Sequence, residues 1–199
     1  MIEIEIKAKI SNPELLRKQI KKYNGIYKIS LFHEDTYFNM PKGLRDFKKT
    51  DEALRLRKSI EFNKNNNEIN QEVVYFLTYK GRKIDDATKT RKELEVKIEN
   101  LDKMRELLNN LGFKEIFTIK KERELYKFVF KNFHIDALID YIPILNQHFL
   151  EVEVLSDTLN NIEFIKNILF EFLEHFGISK QESIRESYLE LIAKKLNLS

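Results

Sequence analysis

Cysteine is absent from this chain of 199 residues, and histidine, glycine and proline are scarce, with four, five and three copies. Without cysteine the chain can form no disulfide bond and has no thiolate metal site. The four histidines show no mutual spacing, which argues against structural zinc. Any bound metal is therefore expected to be a hard cation held by oxygen ligands.

Long apolar runs are also absent from the sequence. No segment approaches the length of a membrane span, and the N-terminus resembles a charged strand rather than a signal peptide. These observations predict a cytoplasmic protein without a membrane partner.

Positive and negative charges are nearly balanced. Lys and Arg number 35 and Asp and Glu 32, which gives a net charge of +3. A nucleic-acid-binding protein usually carries a larger, clustered excess of positive charge, so no specific nucleic-acid partner is expected. The chain is 42% hydrophobic and 34% charged, which is typical of a globular protein. Because no repeat or linker divides it, we expect a single domain over residues 1–199.

Alternating apolar and charged residues predict β-strands along most of the chain. The first ten residues alternate without a break, which places Ile4 and Ile6 on one face and Glu3, Glu5 and Lys7 on the other. Similar patterns predict strands near residues 27–38, 53–62, 73–80, 90–98, 113–121, 123–130, 133–140 and 149–155. Helical spacing predicts helices over about residues 12–23, 102–111, 160–176 and 183–196. Polar stretches predict loops at residues 63–70 and 81–89.

Many strands at short spacing favour an α+β fold, with one antiparallel sheet or barrel and helices packed outside. Charged residues two apart occur in at least five of the strands, and Lys80 ends a sixth. They are Glu3/Glu5/Lys7, Arg55/Arg57, Arg91/Glu93/Glu95/Lys97, Lys121/Arg123 and Glu151/Glu153. In a closed eight-stranded barrel these charges would line a tunnel. Closure would also bring the two Glu-x-Glu strands side by side.

Two interpretations of these charges remain open. They form either an ordinary solvated sheet face or the wall of a polar cavity, in which buried charges need partners or a ligand. Clustered Arg and Lys suit a phosphate group, and clustered glutamates suit a hard divalent cation such as Mg²⁺. Phosphate, metal and carboxylate together indicate phosphoryl or nucleotidyl transfer.

A series of short motifs resembles the CYTH superfamily, the triphosphate tunnel metalloenzymes. Its N-terminal Glu-x-Glu-x-Lys is present as Glu3, Glu5 and Lys7. The series continues with Asp35–Phe38, Ala53–Arg57, Leu77–Gly81, Arg91–Glu95, Lys120–Arg123, Asp140, Phe149–Glu153 and Ser187–Leu191. Singly these motifs are weak, but in order over nearly the whole chain they are specific.

The resemblance implies an eight-stranded antiparallel tunnel and assigns roles to its charged residues. The implied metal-binding carboxylates are Glu3, Glu5, Asp140, Glu151 and Glu153, with Mg²⁺ or Mn²⁺ as the metal. The implied triphosphate-binding cations are Lys7, Arg55, Arg57, Lys80, Arg91, Lys121 and Arg123. Among these, the expected catalytic residues are Glu5, Lys7, Arg123 and Glu153. Glu93 and Glu95 would orient the cations.

Within the superfamily the motifs look closest to the class IV adenylyl cyclases, which convert ATP to cyclic AMP and pyrophosphate. Two departures bear on substrate preference. The usual Leu-Gly-x-Phe is replaced by Leu145–Phe149, where Asn146 could adopt the left-handed conformation of the missing glycine. The usual Gln before the Asp35 motif is also replaced, since Phe32-His33-Glu34 stands there.

Three alternatives to the cyclase remain open at this stage. The chain could be a triphosphatase that hydrolyses thiamine triphosphate or inorganic tripolyphosphate. It could be a non-catalytic module that binds polyphosphate or a nucleotide, or a structural β-domain with solvated charges. Homodimers are common in the family, which leaves a homodimer open as well.

Overall fold

The computed structural model describes residues 2–62, 72–85, 88–156 and 161–197. Within these ranges the strands are β1 (Ile2–Ile10), β2 (Ile26–Asn39), β3 (Ala53–Phe62), β4 (Glu72–Lys80), β5 (Arg91–Ile98), β6 (Lys114–Phe130), β7 (Phe133–Ile142) and β8 (Gln147–Ser156). The helices are α1 (Pro13–Lys22), α2 (Phe47–Thr50), α3 (Leu101–Asn110), α4 (Ile162–Glu174) and α5 (Tyr188–Leu196). The loop predicted at residues 63–70 lies outside the described residues, as does the predicted start of α4 at residue 160.

The strands form one closed antiparallel barrel in the order β1-β5-β4-β3-β2-β6-β7-β8, with β8 returning to β1. The predicted α+β fold, an eight-stranded barrel with helices outside, is therefore confirmed. The two strands beside β1 contact it to very different extents. β8 pairs with β1 along its whole length, whereas β5 shares only the pairs Ile2–Lys92 and Glu3–Arg91 with it.

The apolar faces of β1, β6, β7 and β8 point outward and are covered by helices, whereas Leu94 and Val96 on the outer face of β5 are 51% and 56% exposed. Ile4 and Ile6 of β1 join Leu169 of α4 in the largest hydrophobic cluster, which also includes Tyr126 and Phe128. Burying one such aliphatic side chain contributes about 2 kcal/mol. Because the outer face forms the core, the alternating charged residues are left to the inside of the barrel.

One predicted strand boundary is wrong. Residues 114–130 form a single strand of 17 residues, β6, rather than two strands separated near residue 122. The charged run in the middle suggested a break. Lys121 and Arg123 instead point into the barrel and contact Asp140, while Lys120 and Glu122 are exposed on the outside.

The start of the last helix also differs from the prediction. α5 begins at Tyr188 rather than near Ser183, because Ser183 forms a bridge to Ala8 of β1. Ser187 then caps the helix by accepting a hydrogen bond from the N–H of Glu190. No helix in the described part of the chain is long and apolar enough to cross a membrane.

Candidate functional site

The two Glu-x-Glu segments, near opposite ends of the chain, lie on adjacent strands inside the barrel. The register of β1 and β8 sets Glu5 opposite Glu153 and Lys7 opposite Glu151. Carboxylate oxygens of Glu3, Glu5 and Glu153 all lie within 4.8 Å of one another. The prediction that barrel closure brings the two segments together is confirmed.

These three carboxylates differ in their affinity for a proton. Burial and the carboxylate of Glu151 raise the pKa of Glu5 to about 7. Burial and the charge of Glu3 raise the pKa of Glu153 well above its usual range. Burial would also raise the pKa of Glu3, but the ammonium of Lys80, 3.0 Å away, lowers it. These three carboxylates together therefore carry more negative charge than the neighbouring cations neutralise.

A hard divalent cation fits this donor set. Mg²⁺ commonly takes one or two protein carboxylates and completes its coordination with water and phosphate oxygens. Repulsion among neighbouring carboxylates, which raises their pKa values, is relieved when a cation joins them. Glu3, Glu5 and Glu153 are the residues that would hold Mg²⁺ or Mn²⁺.

Cationic side chains line the same cavity, whose volume is about 1040 Å³. They are Lys48, Arg55, Arg57, Lys80, Lys89, Arg91, Lys121 and Arg123. Carboxylates hold several of them in place. Arg57 donates two hydrogen bonds to Asp35, at 2.6 and 2.8 Å, and Arg55 lies 3.3 Å from Glu95. Cations fixed in this way can offer their remaining donors to an anionic ligand.

Glu93 is the other carboxylate predicted to orient the cations. Its side chain lies 2.5 Å from Lys80 and 3.6 Å from Arg55, so both glutamates of β5 stand beside the residues that they were expected to orient. Arg91 is less tightly held, at 3.8 Å from Asp51. The predicted triphosphate-binding residues other than Lys7 thus share one cavity with the carboxylate group.

A family model described as the CYTH domain matches residues 1–188 of this sequence. The chain belongs to the CYTH family. This agrees with the resemblance found in the motifs, and the barrel has the charged interior that those motifs predicted.

Individual relatives cover the CYTH chain almost completely. A Methanocaldococcus jannaschii protein named "Putative adenylate cyclase" is 42% identical over 192 residues, which are 96% of this chain and 98% of that protein. A solved structure from Pyrococcus horikoshii is 37% identical with a TM-score of 0.82, and covers 97% of this chain and 99% of that chain. A third relative is a Hippeastrum protein, described as a putative adenylyl cyclase with a dominant triphosphatase activity. It is 18% identical with a TM-score of 0.63, and the match covers 97% of this chain and 96% of that chain. That last likeness shows the fold alone.

Lys7 of the CYTH motif lies behind the cavity wall and is fully buried. Its ammonium donates to the backbone carbonyl of Glu186 and lies 4.1 Å from the centre of the Tyr188 ring. Burial and the nearby ammonium of Lys89 lower the pKa of Lys7 to about 7. Its ammonium does not line the cavity, so the predicted contact of Lys7 with a triphosphate stays a prediction.

Asp140 and Glu151, two of the predicted metal ligands, are engaged with cations. Asp140 accepts two hydrogen bonds of 2.6 Å from Arg123 and one of 2.9 Å from the hydroxyl of Tyr188. Glu151 contacts Lys89 and Arg123, and although burial opposes it, these cations lower its pKa well below the usual range. Neither belongs to the group of three carboxylates found among the described residues. Metal binding by these two residues stays a prediction.

Lys89 is a site residue that the sequence pattern did not predict. Its ammonium hydrogen-bonds to Glu5 and lies 2.8 Å from Glu151, so it places a positive charge between carboxylates of the two Glu-x-Glu strands. Lys89 fell in the loop predicted at residues 81–89. It lies two residues before Arg91, however, and this spacing could have placed both side chains on the inner face.

Tyr188 is a second residue without a predicted role, although it lies within a family motif. It sits at the start of α5, which packs against the barrel through Phe149. Besides Lys7, the ammonium groups of Lys121 and Lys89 lie 5.4 and 5.6 Å from its ring centre. A ring surrounded by three ammonium groups stabilises them by cation–π attraction. Period-two patterns detect strand faces, so they gave no signal for a helix residue reaching into the site.

Proposed function

We propose that this CYTH protein is a divalent-metal-dependent adenylyl cyclase, which converts ATP to cyclic AMP and pyrophosphate. The observation that carries the proposal is the meeting of two groups in one cavity. The carboxylates of Glu3, Glu5 and Glu153 lie within 4.8 Å of one another, and eight Arg and Lys side chains line the same space. Nucleotidyl transfer requires carboxylates that bind a metal ion and, beside them, cations that bind the phosphates.

The chain's own residues would bind and orient the triphosphate. Arg55, Arg57 and Lys80 would bind its terminal phosphates, and Lys121 and Arg123 would stabilise the charge that develops on the departing pyrophosphate. In the reaction the ribose 3′-hydroxyl gives up its proton to solvent, its oxygen forms a bond with the α-phosphorus, and the bond from that phosphorus to pyrophosphate breaks. A bound Mg²⁺ or Mn²⁺ would lower the pKa of the 3′-hydroxyl and balance phosphate charge.

Two features of the cavity support a nucleotide as the substrate. Its volume of about 1040 Å³ is at the upper end of ordinary small-molecule pockets, so inorganic tripolyphosphate would leave much of it unfilled. Aromatic rings of Tyr37, Phe47 and Phe117 line it as well, and such rings can stack on a base. The name of the M. jannaschii relative is in accord with this choice.

A triphosphatase is the second candidate, because the same cationic residues would serve water as the nucleophile. The experiment is to incubate the protein with ATP, thiamine triphosphate or inorganic tripolyphosphate, each with Mg²⁺ or Mn²⁺ and each with a chelator. We expect cyclic AMP and pyrophosphate from ATP in the presence of metal.

Each outcome of this experiment decides between the candidates. Orthophosphate as the main product would favour the triphosphatase and exclude the cyclase. Tight binding without any turnover would identify a non-catalytic triphosphate-binding module. Undiminished turnover in the presence of chelator would contradict the metal requirement.

The Glu5→Gln variant tests the carboxylate group directly. It removes one proposed ligand while keeping the side-chain shape, and we expect turnover to fall by more than about 100-fold, since even outer-shell partners of a metal are worth 10- to 100-fold. Metal-free binding of tripolyphosphate should persist, because the cations are untouched. Glu122→Gln, on the exposed outer face of β6, is the matched control and should keep wild-type turnover.

A further inference from the structure

A short strap, defined as residues 83–85 and 88–90, lies beside the seam where β1 and β5 share only two residue pairs. Its two parts are joined by a hydrogen bond of 2.9 Å from the N–H of Ile84 to the carbonyl of Thr90. The N–H of Lys89 donates to the carbonyl of Glu5 at 3.0 Å. The strap is therefore attached to β1 at the position of a proposed metal ligand.

This attachment points the Lys89 side chain at the carboxylates of Glu5 and Glu151. Its side chain is only 11% exposed, so its charge acts in a poorly hydrated site. A cation at this point offsets two carboxylates that would otherwise repel a triphosphate. The backbone position of Lys89 consequently affects how well the cavity accepts an anion.

A second contact, on the outside of the barrel, holds Thr88, the residue before Lys89. One carboxylate oxygen of Asp85 accepts hydrogen bonds from the N–H and the hydroxyl of Thr88, at 2.7 and 2.9 Å. The other oxygen lies 3.0 Å from the ammonium of Lys166 on α4. Lys166 is only 7% exposed, which is unusual for a lysine outside the cavity. The strap is thus tied to a long helix that packs on the core.

We propose that Asp85 and Lys166 are positioning residues, which hold the strap so that Lys89 stays between Glu5 and Glu151 and the cavity stays receptive to a triphosphate. Neither residue lines the cavity, so both act through Lys89. The proposal rests on the triphosphate-binding part of the proposed function. It does not require turnover.

The test is a double-mutant cycle on metal-free binding of inorganic tripolyphosphate, measured by calorimetry with chelator present. Lys166→Met keeps the aliphatic length and removes the charge, and we expect it to weaken binding by about tenfold, the lower end of the roughly 10- to 100-fold that the loss of an outer-shell partner costs at metal sites. In a chain that already carries Lys89→Met, the Lys166→Met change should have no further effect on binding. Residues that act through one another show such non-additivity.

Two further variants guard against a general loss of stability. Glu163 is the other carboxylate beside Lys166, and its side chain is 71% exposed. Glu163→Gln should leave the affinity for tripolyphosphate unchanged. Asp85→Asn keeps an acceptor for Thr88 and loses the charge, so it should reproduce the effect of Lys166→Met, and it replaces that variant in the cycle if Lys166→Met does not fold. Thermal midpoints of all variants report any structural cost separately.

The outcomes separate this inference from the proposed function. If Lys166→Met weakens binding equally with and without Lys89, or does not weaken it at all, the positioning role is wrong. If the cycle is non-additive while ATP is not turned over, the inference stands and the enzyme proposal fails. A wild-type chain that does not bind tripolyphosphate overturns both.

Discussion

His33 shows what it costs a single residue to lie inside this barrel. It is only 3% exposed, and its Nδ1 has no hydrogen-bond partner in the part of the chain that the structure describes. Burial and the charges of Arg57 and Lys121 lower its pKa well below the usual 6.5. A neutral imidazole is tolerated there, whereas an imidazolium would add a further charge to a cationic wall.

This environment predicts that His33 makes the fold sensitive to acid. Below pH 6.5 the unfolded chain binds a proton that the folded chain resists, so the free energy of unfolding falls, by at most about 1.4 kcal/mol per pH unit. His33→Gln should remove this contribution. The free energy of unfolding of the variant, relative to that of wild type, should therefore rise as the pH is lowered from 7.5 to 5. Urea unfolding at several pH values measures the difference. Parallel curves for the two proteins would show that His33 does not titrate as its surroundings imply.

At this scale the sequence predicted which side chains face inward but not which of them pair. Period-two spacing placed Arg123 and Glu151 on the inner face, because alternation is a local property of a strand. The contacts of Asp140 with Arg123, or of Lys89 with Glu5, depend on the register and stagger of strands distant in sequence. Those follow from barrel closure, which no local pattern encodes.

Among the elements, the turn between β7 and β8 departs from the usual Leu-Gly-x-Phe sequence of the family, and the fold accommodates the change. Asn146 has φ of +50° and ends a single 3₁₀ turn over Pro143–Leu145. Its side-chain oxygen accepts a hydrogen bond of 3.0 Å from Tyr141. The predicted left-handed conformation of Asn146 is confirmed, and β8 keeps the register that sets Glu153 opposite Glu5.

Substitution at this turn should therefore separate backbone conformation from side-chain contact. Asn146→Ala should lower the free energy of unfolding by about 1–2 kcal/mol, because a Cβ without a local hydrogen bond disfavours the left-handed region. Asn146→Gly should stay within about 0.5 kcal/mol of wild type, since glycine adopts that region freely. Urea unfolding provides the measurement, and Asn109→Ala, in the ordinary helical backbone of α3, is the control. Equal losses for the alanine and glycine variants would assign the effect to the Tyr141 contact instead.

For the whole molecule, the barrel resolves the question that its first strand raises. Glu3, Glu5 and Lys7 alone could have been surface charge. Closure of β8 against β1 makes Glu3 and Glu5 part of a cavity wall and buries Lys7 behind it, and the helices bury the opposite face of the same strands. The family motifs predicted this architecture more fully than periodicity did, because the motifs span the chain and carry the long-range order that alternation lacks. Closure also brings like charges close together inside the barrel, and a bound ligand of opposite charge could reduce their repulsion.

A barrel of this kind should gain stability when an anion binds. Tripolyphosphate at 100 times its dissociation constant would raise the free energy of unfolding by about 2.7 kcal/mol if it binds only the folded chain. For a chain of this size that corresponds to a rise of about 5–10 °C in the melting temperature. Differential scanning fluorimetry without metal measures it, and sodium chloride at matched ionic strength is the control, because simple screening would act with either salt. A shift that sodium chloride reproduces would mean that the cations of the cavity are satisfied by their carboxylates and do not bind a triphosphate. A shift specific to tripolyphosphate would mean that the paired cations retain donors for it, which the proposed reaction requires.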